Sequence, residues 1–312
     1  MIQVDLITGF LGSGKTTFLK KYAKYLLDQG LKVGILENDF GAVNVDMMLL
    51  GELESADCGL EMVAGGCDAD CHRRRFKTKL IAMGMSSYDR VLIEPSGLFD
   101  VDEFFDALYE EPLSRWYQIG NVFAIVDANL ESNLSEQSEY LLASQIANAG
   151  VVLLSKVREA SDEEIARTIG HMNRALEYVK CDRRFSKDQG VLISDWDTWS
   201  DNDFRTLMER GYRSENFRKL FSGNDGYQSV YLINQGISAK GIREKIQAIM
   251  EDTECGHVFR IKGFVQCEEG WMEVNATREK ITVQPISKGQ DVLIVIGENL
   301  REDALHPALT SL

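Results

Sequence analysis

The sequence lacks long apolar runs and is short of positive charge. No stretch approaches the roughly 18 consecutive apolar residues that a membrane-spanning helix needs, and Asp5 interrupts the start of the chain, where a secretory signal would be apolar. Only 34 Lys and Arg stand against 49 Asp and Glu, which gives a formal net charge of −15. The missing span and signal predict a cytoplasmic location and no membrane partner. Because a negative surface repels phosphate backbones, we also expect no nucleic-acid partner.

Cysteine and histidine are also scarce. Six cysteines in 312 residues are too few and too scattered for a disulfide framework, so we expect thiols that serve packing or metal binding. Of the four histidines, only His72, beside Cys71, is a weak candidate ligand. Four cysteines have no partner at metal-site spacing and are predicted to be packing residues: Cys58, Cys181, Cys255 and Cys267.

The chain does contain an alternation of buried strands and amphipathic helices. Ser161 and Glu164 form a capping-box pattern that predicts the start of one such helix. The pattern predicts an α/β fold with a mostly parallel sheet and flanking helices, whose strands present their carboxyl ends along one ligand-binding edge. The predicted strands are the apolar runs at 3–8, 32–39, 90–97, 122–128 and 150–156.

A polar, irregular stretch that ends near Gly226 separates this region from the rest. We place the boundary there, which gives domains at 1–225 and 226–312. The second domain has several strand-like runs and a helix predicted from about Lys240 to Glu251, so we expect a smaller α+β domain.

The segment between the first strand and the first helix reads GFLGSGKT and fits the pattern G-x-x-x-x-G-K-[ST]. Its glycines allow backbone N–H groups to turn towards phosphates, while Lys15 reaches the terminal phosphates and Thr16 holds Mg²⁺. The strand, loop and helix together predict a P-loop NTPase. The predicted nucleotide cradle consists of Gly9, Gly12, Ser13, Gly14, Lys15, Thr16 and Thr17.

Glu94 ends a neighbouring strand in the segment VLIEPSG. A carboxylate there can bind the magnesium shell or orient the attacking water, and Gly97 would let the backbone near the γ-phosphate move. Lys15, Thr16 and Glu94 are therefore the predicted catalytic residues of a magnesium-dependent NTP hydrolase. Because E-x-x-G is a weak pattern, a merely solvated strand-end acid is the alternative.

A second cluster of candidate ligands follows the second strand. ILENDFGAVNVD carries Glu37, Asp39 and Asp46, and GGCDADCHRR supplies Cys67 and Cys71 about twenty residues later. Thiols with nearby carboxylates suit Zn²⁺ or another divalent transition metal. Structural zinc usually takes two cysteine pairs, and no second pair is present, so two unpaired thiols in a loop are the alternative.

These segments resemble a known family. TGFLGSGKTT, ENDFG, the cysteine loop after GG, IEPSGL and IVDA occur in the order found in the CobW-like GTPases, relatives of the hydrogenase- and urease-maturation GTPases. The resemblance covers most of residues 2–158, and FRIKGFV and VLIVIGENL resemble that family's C-terminal domain. It implies a GTP-hydrolysing metallochaperone or metal-cofactor maturation factor that serves a client protein. Asp39, Ser155 and Lys156 are the implied further nucleotide contacts.

Two departures concern the metal. The family's metal loop reads G-C-x-C-C and has three thiols. This chain has only two of them, Cys67 and Cys71, with Asp68 and Asp70 in between. A carboxylate in place of a thiolate favours harder ions. Ala42 stands where the family often has a further Glu.

The third departure concerns the base. Family members carry [N/S/T]-K-x-D after the strand that here ends in VVLLSK; Ser155 and Lys156 match, but Arg158 stands in place of the Asp. Because a guanidinium cannot accept hydrogen bonds from guanine, we expect selectivity to weaken by roughly 1–3 kcal/mol. Glu159 is a candidate substitute, and ATP remains the alternative to GTP.

Two other functions fit the same cradle. A small-molecule kinase would need a base near the γ-phosphate, which Asp39 or Asp46 could supply. A nucleotide-gated interaction protein would use slow hydrolysis to time the release of a partner, and we would then expect a nucleotide-dependent homodimer.

Overall fold

The computed structural model describes two compact units, Met1–Gly223 and Asn224–Leu312. The predicted boundary after residue 225 lies in 221–226, outside the described residues. No helix in the described part of the chain is long and apolar enough to cross a membrane. The described residues are 1–39, 49–64, 69–97, 99–220, 227–233, 236–237, 239–267, 270–278, 280–287 and 289–310.

The first unit is built on a parallel sheet, which confirms the predicted α/β fold. Within the described residues the sheet has seven strands in the order β3-β2-β4-β1-β5-β6-β7, and each pairing is parallel. The strands are β1 (Ile2–Gly9), β2 (Val33–Asp39), β3 (Cys58–Ala64), β4 (Arg90–Pro95), β5 (Tyr117–Asp127), β6 (Val151–Ser155) and β7 (Val191–Leu192).

Helices cover both faces of this sheet. Leu6 and Ile7 are consecutive in β1 and point to opposite faces, so they belong to two separate buried clusters. Phe18 and Tyr22 of the first helix pack in the Ile7 cluster. The helices are α1 (Lys15–Asp28), α2 (Ala69–Gly84), α3 (Asp102–Tyr109), α4 (Leu113–Trp116), α5 (Glu136–Ala147), α6 (Asp162–Tyr178) and α7 (Asp201–Leu207).

A buried carboxylate fixes β1 against its neighbours. Asp5 is fully buried and accepts hydrogen bonds from the Tyr22 hydroxyl at 2.7 Å and the Asn121 backbone N–H at 2.8 Å. Arg90 of β4 forms an ion pair with the same carboxylate. Because these partners come from α1, β4 and β5, one side chain ties together the elements that carry the carboxyl edge.

Two strands of the sheet were not predicted from the sequence. β3 is an edge strand whose middle residues are only half-buried, and it includes Gly59 and Glu61, so it shows no continuous apolar run. Lys79 of α2 pairs with Glu61. β7 contains two residues, too few for any periodic signal.

The second unit has an antiparallel sheet, as expected for a smaller α+β domain. Among the described residues its strand order is β11-β10-β9-β12-β8. α8 (Ile242–Glu251) and α9 (Glu302–Thr310) pack on the sheet through residues such as Ile246 and Leu305. α8 begins two residues later than predicted, after Gly241 in the left-handed conformation. The strands are β8 (Tyr227–Ile233), β9 (His257–Cys267), β10 (Gly270–Thr277), β11 (Ile281–Ile286) and β12 (Val292–Glu298).

Candidate nucleotide and metal site

The glycine loop between β1 and α1 folds into a tight turn. Gly9 has φ +146°, and a Cβ added there would lie 2.2 Å from the Ile125 carbonyl oxygen, so only glycine fits. Gly12 and Gly14 also have positive φ, and Gly14 is the N-cap of α1. Ser13 is buried, and its hydroxyl has no hydrogen-bond partner among the described residues. The turn directs the N-terminus of α1 towards the carboxyl edge, where an anion is stabilised.

Lys15 lies inside this turn. Its side chain is buried, and Nζ donates to the carbonyl oxygens of Gly9 at 3.0 Å and Phe10 at 3.3 Å. The ammonium is thereby held within the loop that would surround the phosphates. Thr17, the next residue but one, is exposed.

Thr16 and Glu94, which the sequence predicts as magnesium ligands, lie within hydrogen-bond distance of each other. The Thr16 hydroxyl donates to Glu94 Oε1 at 2.8 Å. Glu94 is 4% exposed and lies on β4, directly beside β1 in the sheet. A hydroxyl and a carboxylate are hard oxygen ligands, and Mg²⁺ in nucleotide sites typically uses one or two such groups together with phosphate oxygens. This pair therefore fits the ion.

The backbone after Glu94 contacts the glycine loop. A Cβ on Gly97 would lie 2.6 Å from the backbone nitrogen of Leu11, so this approach requires glycine. Gln145 of α5 donates to the Gly97 carbonyl at 2.9 Å, and the Ser96 N–H donates to the Asn38 carbonyl at 2.7 Å. The segment thus connects the P-loop, the end of β2 and α5.

Glu37 lies next to Glu94. The two residues are paired in the parallel register of β2 and β4, and Glu37 is 3% exposed. Asp39 is the last residue of β2, and its side chain is not described. Asp46, Cys67, Asp68 and Ala42 lie outside the described residues.

The alternative interpretation of the cysteine segment places both thiols in a loop, but Cys71 lies in a helix. It lies in the first turn of α2 and is partly exposed, while the adjacent His72 is 1% exposed. In the part of the chain that the structure describes, no three His, Cys, Asp or Glu side chains are placed to hold one metal ion. Of the predicted transition-metal ligands, the structure describes the side chains of Glu37 and Cys71.

The ends of β5, β6 and β7 carry a second set of charged side chains. Lys156 has a positive φ of 54° and donates to the carboxylate of Asp127, whose other oxygen accepts from the Asn129 N–H at 3.0 Å. Ser155 is buried at the end of β6. Arg158 forms an ion pair with Asp195, which follows β7.

Two family profiles match the chain. The profile described as CobW/HypB/UreG, nucleotide-binding domain, matches residues 3–185. The protein belongs to the CobW/HypB/UreG family. The profile of the cobalamin synthesis protein cobW C-terminal domain matches residues 237–312.

Three curated relatives of this CobW-family chain are informative. Zinc chaperone YjiA of Escherichia coli is 31% identical over 174 residues, which cover 52% of this chain and 52% of YjiA. Zinc chaperone YeiR of the same organism is 25% identical over 305 residues, 91% of this chain and 89% of YeiR. Zinc-regulated GTPase metalloprotein activator 1 of Dictyostelium discoideum is 26% identical over 215 residues, 55% and 44% of the two chains. The chain spans about half the length of the first and third relatives.

Two residues near the P-loop edge of this CobW-family protein, Asp195 and Trp196, are not among those that the sequence predicts. Trp196 follows Asp195, and its ring carbon Cζ2 lies 3.8 Å from the position of a Cβ on Gly14; Ser155 Cβ lies 3.7 Å from the same point. The segment after β7 therefore borders the P-loop. This segment, DWDTW, belongs to the stretch that the sequence predicts to be polar and irregular, although its two tryptophans are a signal of packing.

Proposed function

We propose that this protein is a Mg²⁺-dependent GTPase that acts as a zinc metallochaperone or metal-cofactor maturation factor. The observation that carries the proposal is the Thr16–Glu94 hydrogen bond of 2.8 Å, with Glu37 in register beside Glu94. The printed names of the relatives, zinc chaperone and zinc-regulated GTPase, support both halves of the proposal.

The P-loop residues bind and orient the nucleotide. Backbone N–H groups around Gly12–Thr16 and the Lys15 ammonium hold the β- and γ-phosphates, with the N-terminus of α1 behind them. Thr16 and Glu94 hold Mg²⁺, which when bound neutralises charge on the transferring phosphoryl group. Glu94 also orients the attacking water, for which its buried carboxylate is placed at the carboxyl edge.

Nucleotide state reaches the metal ligands through adjacent backbones. Glu94 and Glu37 are neighbours on parallel strands, and the Ser96 N–H is hydrogen-bonded to the carbonyl of Asn38. A backbone shift at Gly97 after loss of the γ-phosphate would therefore change the end of β2, where Glu37 and Asp39 lie. Zinc, held as cargo by these carboxylates with Cys67 and Cys71, would be released to a client metalloprotein in the cytoplasm. A nucleotide-dependent homodimer is part of the proposal.

Metal and nucleotide binding of paired variants test the proposal. Lys15→Ala is expected to abolish GTP binding, because it removes the cation of the cradle. Cys67→Ala is expected to lose zinc while GTP affinity stays nearly intact, and Cys267→Ser, at a partly exposed thiol of the second unit, serves as the control. Equal zinc stoichiometry in the Cys67 variant and the parent would contradict the metal half. Turnover that requires an added acceptor would indicate a kinase instead.

A further inference from the structure

Guanine recognition requires a hydrogen-bond acceptor that the loop after β6 does not provide. Guanine offers two donors, the ring N1–H and the 2-amino group, and next to them the acceptors O6 and N7. Arg158, in the loop after β6, has only donors. A site that selects guanine must therefore take its acceptor from another element.

The strand order shows where the base would lie. β4, with Glu94, borders β1 on one side, and β5, β6 and β7 follow on the other. Since Thr16 and Glu94 mark the magnesium and γ-phosphate end, the nucleoside extends towards the ends of β6 and β7. Ser155 and Trp196 flank Gly14 from these two strand ends, at 3.7 and 3.8 Å from its Cβ position.

We infer that Asp195 supplies the carboxylate that reads guanine, and that Arg158 is its paired donor. The inference rests on the proposed GTPase function, because it concerns the same nucleotide. β6 and β7 are parallel neighbours, with Leu153 opposite Leu192, so the loops that follow them leave the sheet at the same edge. The Arg158–Asp195 ion pair joins these loops directly.

Asp195 is better suited to this role than the other acids nearby. Asp127 and Asp195 each pair with a cation and accept from a backbone N–H, but Lys156, on Asp127, is only 25% exposed, whereas Arg158, on Asp195, is 64% exposed and can leave its partner. Glu159 is exposed at the surface. Asp195 is 20% exposed, and its Oδ1 accepts from the Asp197 N–H at 2.9 Å, which fixes the direction of the carboxylate.

The Arg158–Asp195 ion pair can match both the hydrogen-bond donors and the hydrogen-bond acceptor of guanine. Asp195 Oδ2 faces Arg158, whose side chain is 64% exposed and can move aside without losing buried contacts. The carboxylate then accepts from N1–H and the 2-amino group, while the guanidinium donates to O6. Adenine has neither donor at those two positions, so this arrangement favours GTP over ATP. The acceptor would thus lie on the loop after β7, whereas the family pattern places it on the loop after β6.

The test compares GTP, xanthosine triphosphate and ATP binding to the full chain with Mg²⁺. Xanthine has a carbonyl in place of the 2-amino group, which suits an amide donor. Asp195→Asn is expected to lose about tenfold or more of the GTP affinity and to gain affinity for xanthosine triphosphate. The amide oxygen can still accept from the Asp197 N–H, so the turn is retained. Asp197→Asn, at the exposed neighbouring acid, is the matched control and should bind like the wild type.

Removal of Arg158 provides an independent check. Arg158→Ala should keep the preference for GTP over xanthosine triphosphate, because the acceptor remains. If the wild type binds GTP and Asp195→Asn keeps the same preference for GTP over xanthosine triphosphate, the assignment of Asp195 is wrong, while the proposed GTPase function stands. A wild type that binds no GTP, or prefers ATP, would overturn the proposed GTPase itself.

Discussion

The Thr16–Glu94 contact gives a prediction at the scale of single residues. Glu94→Gln keeps the shape of the side chain but removes the charge that, in the proposed mechanism, orients water and binds magnesium. We expect the single-turnover rate of GTP hydrolysis to fall about a hundredfold, with GTP affinity reduced only a few-fold because the P-loop is intact. Glu61→Gln, on edge strand β3, is the control with normal turnover. Normal hydrolysis by the Glu94 variant would exclude a catalytic role for this carboxylate.

Asp102 makes stability depend on pH. Burial, together with the negative charge of Asp100, raises the pKa of Asp102 to about 6, and Lys219 opposes the shift. This folded-state pKa lies above the ordinary value of 3.8, so the fold favours the protonated form of the Asp102 carboxyl. The stability that this preference contributes is fully present below pH 3.8 and is lost as the pH rises through about 6. Asp102→Asn should therefore raise the free energy of unfolding at pH 7.5, by about 1 kcal/mol after allowance for solvent screening.

Urea unfolding at several pH values measures this effect. The gain from Asp102→Asn should shrink between pH 7.5 and pH 5, because the wild-type carboxyl becomes protonated in the folded state. Asp201→Asn, at an exposed acid in the first turn of α7, is the control. A gain that stays constant with pH would show that the carboxylate charge is not its cause.

Single residues also show what the sequence could and could not reveal. Lys15, Thr16 and Glu94 were predictable because a local pattern lies between a recognisable strand and helix, and parallel strands place their ends together. The Arg158–Asp195 pair was not, since it joins two loops distant in sequence and no local pattern records that contact. Arg158 considered alone indicates a lost base contact, whereas the pair offers both a donor and an acceptor.

At the scale of elements, the approach of β4 to the P-loop depends on Gly97. Gly97→Ala would place a methyl group 2.6 Å from the Leu11 nitrogen, so one backbone must move. We expect weaker nucleotide binding and slower hydrolysis, measured by equilibrium binding and single-turnover assays. Gly170→Ala in α6 is the matched control, because an added Cβ would meet only the flexible end of Arg174, in the same helix, at 3.6 Å. That control should bind nucleotide normally and gain roughly 0.5–1 kcal/mol of stability.

The N-terminus of α6 is stabilised by a capping box, which the sequence predicted and the structure confirms. The Ser161 hydroxyl accepts from the Glu164 N–H, and the Glu164 carboxylate accepts from the Ser161 N–H at 2.7 Å. Ser161→Ala should lower the free energy of unfolding by about 1 kcal/mol in chemical denaturation. Thr206→Ala in α7, where the hydroxyl bonds only to its own helix, should cost less. Equal losses would argue against the cap.

The predictability of an element followed its position in the sheet. Central strands such as β1 and β4 are buried on both faces and therefore appear as continuous apolar runs. The edge strand β3 is half-buried and needs Lys79 to pair with Glu61, so its sequence resembles a loop. The sequence also does not predict the start of α2 at Ala69. The cysteines in that segment indicate metal ligands or a loop, and this signal hides the helical residues around them.

At the scale of the whole molecule, the first unit has two buried clusters of its own and the second unit has a third. We expect calorimetry to resolve two unfolding transitions. Mg²⁺ and GTP at about 100 times Kd should raise the transition of the first unit by roughly 5–10 °C, because ligand binds only its folded form. The transition of the second unit should stay unchanged.

Lys15→Ala is the control for this experiment, since the substitution lies in the first unit and should remove the ligand-dependent shift. A single transition that moves as a whole with nucleotide would show that the two units unfold cooperatively.

The position of Trp196 beside Gly14 gives the protein an optical reporter of its own. Its indole borders the turn that we propose holds the phosphates, and it contacts Phe18 of α1 with ring centroids 5.6 Å apart. Indole emission responds to the polarity and to the stacking partners around it, so occupancy of the turn should change the emitted light. Of the four tryptophans, Trp271 belongs to the second unit, and Trp271→Phe removes its contribution from the signal. Loading, turnover and release of nucleotide can then be followed in real time on the unlabelled chain.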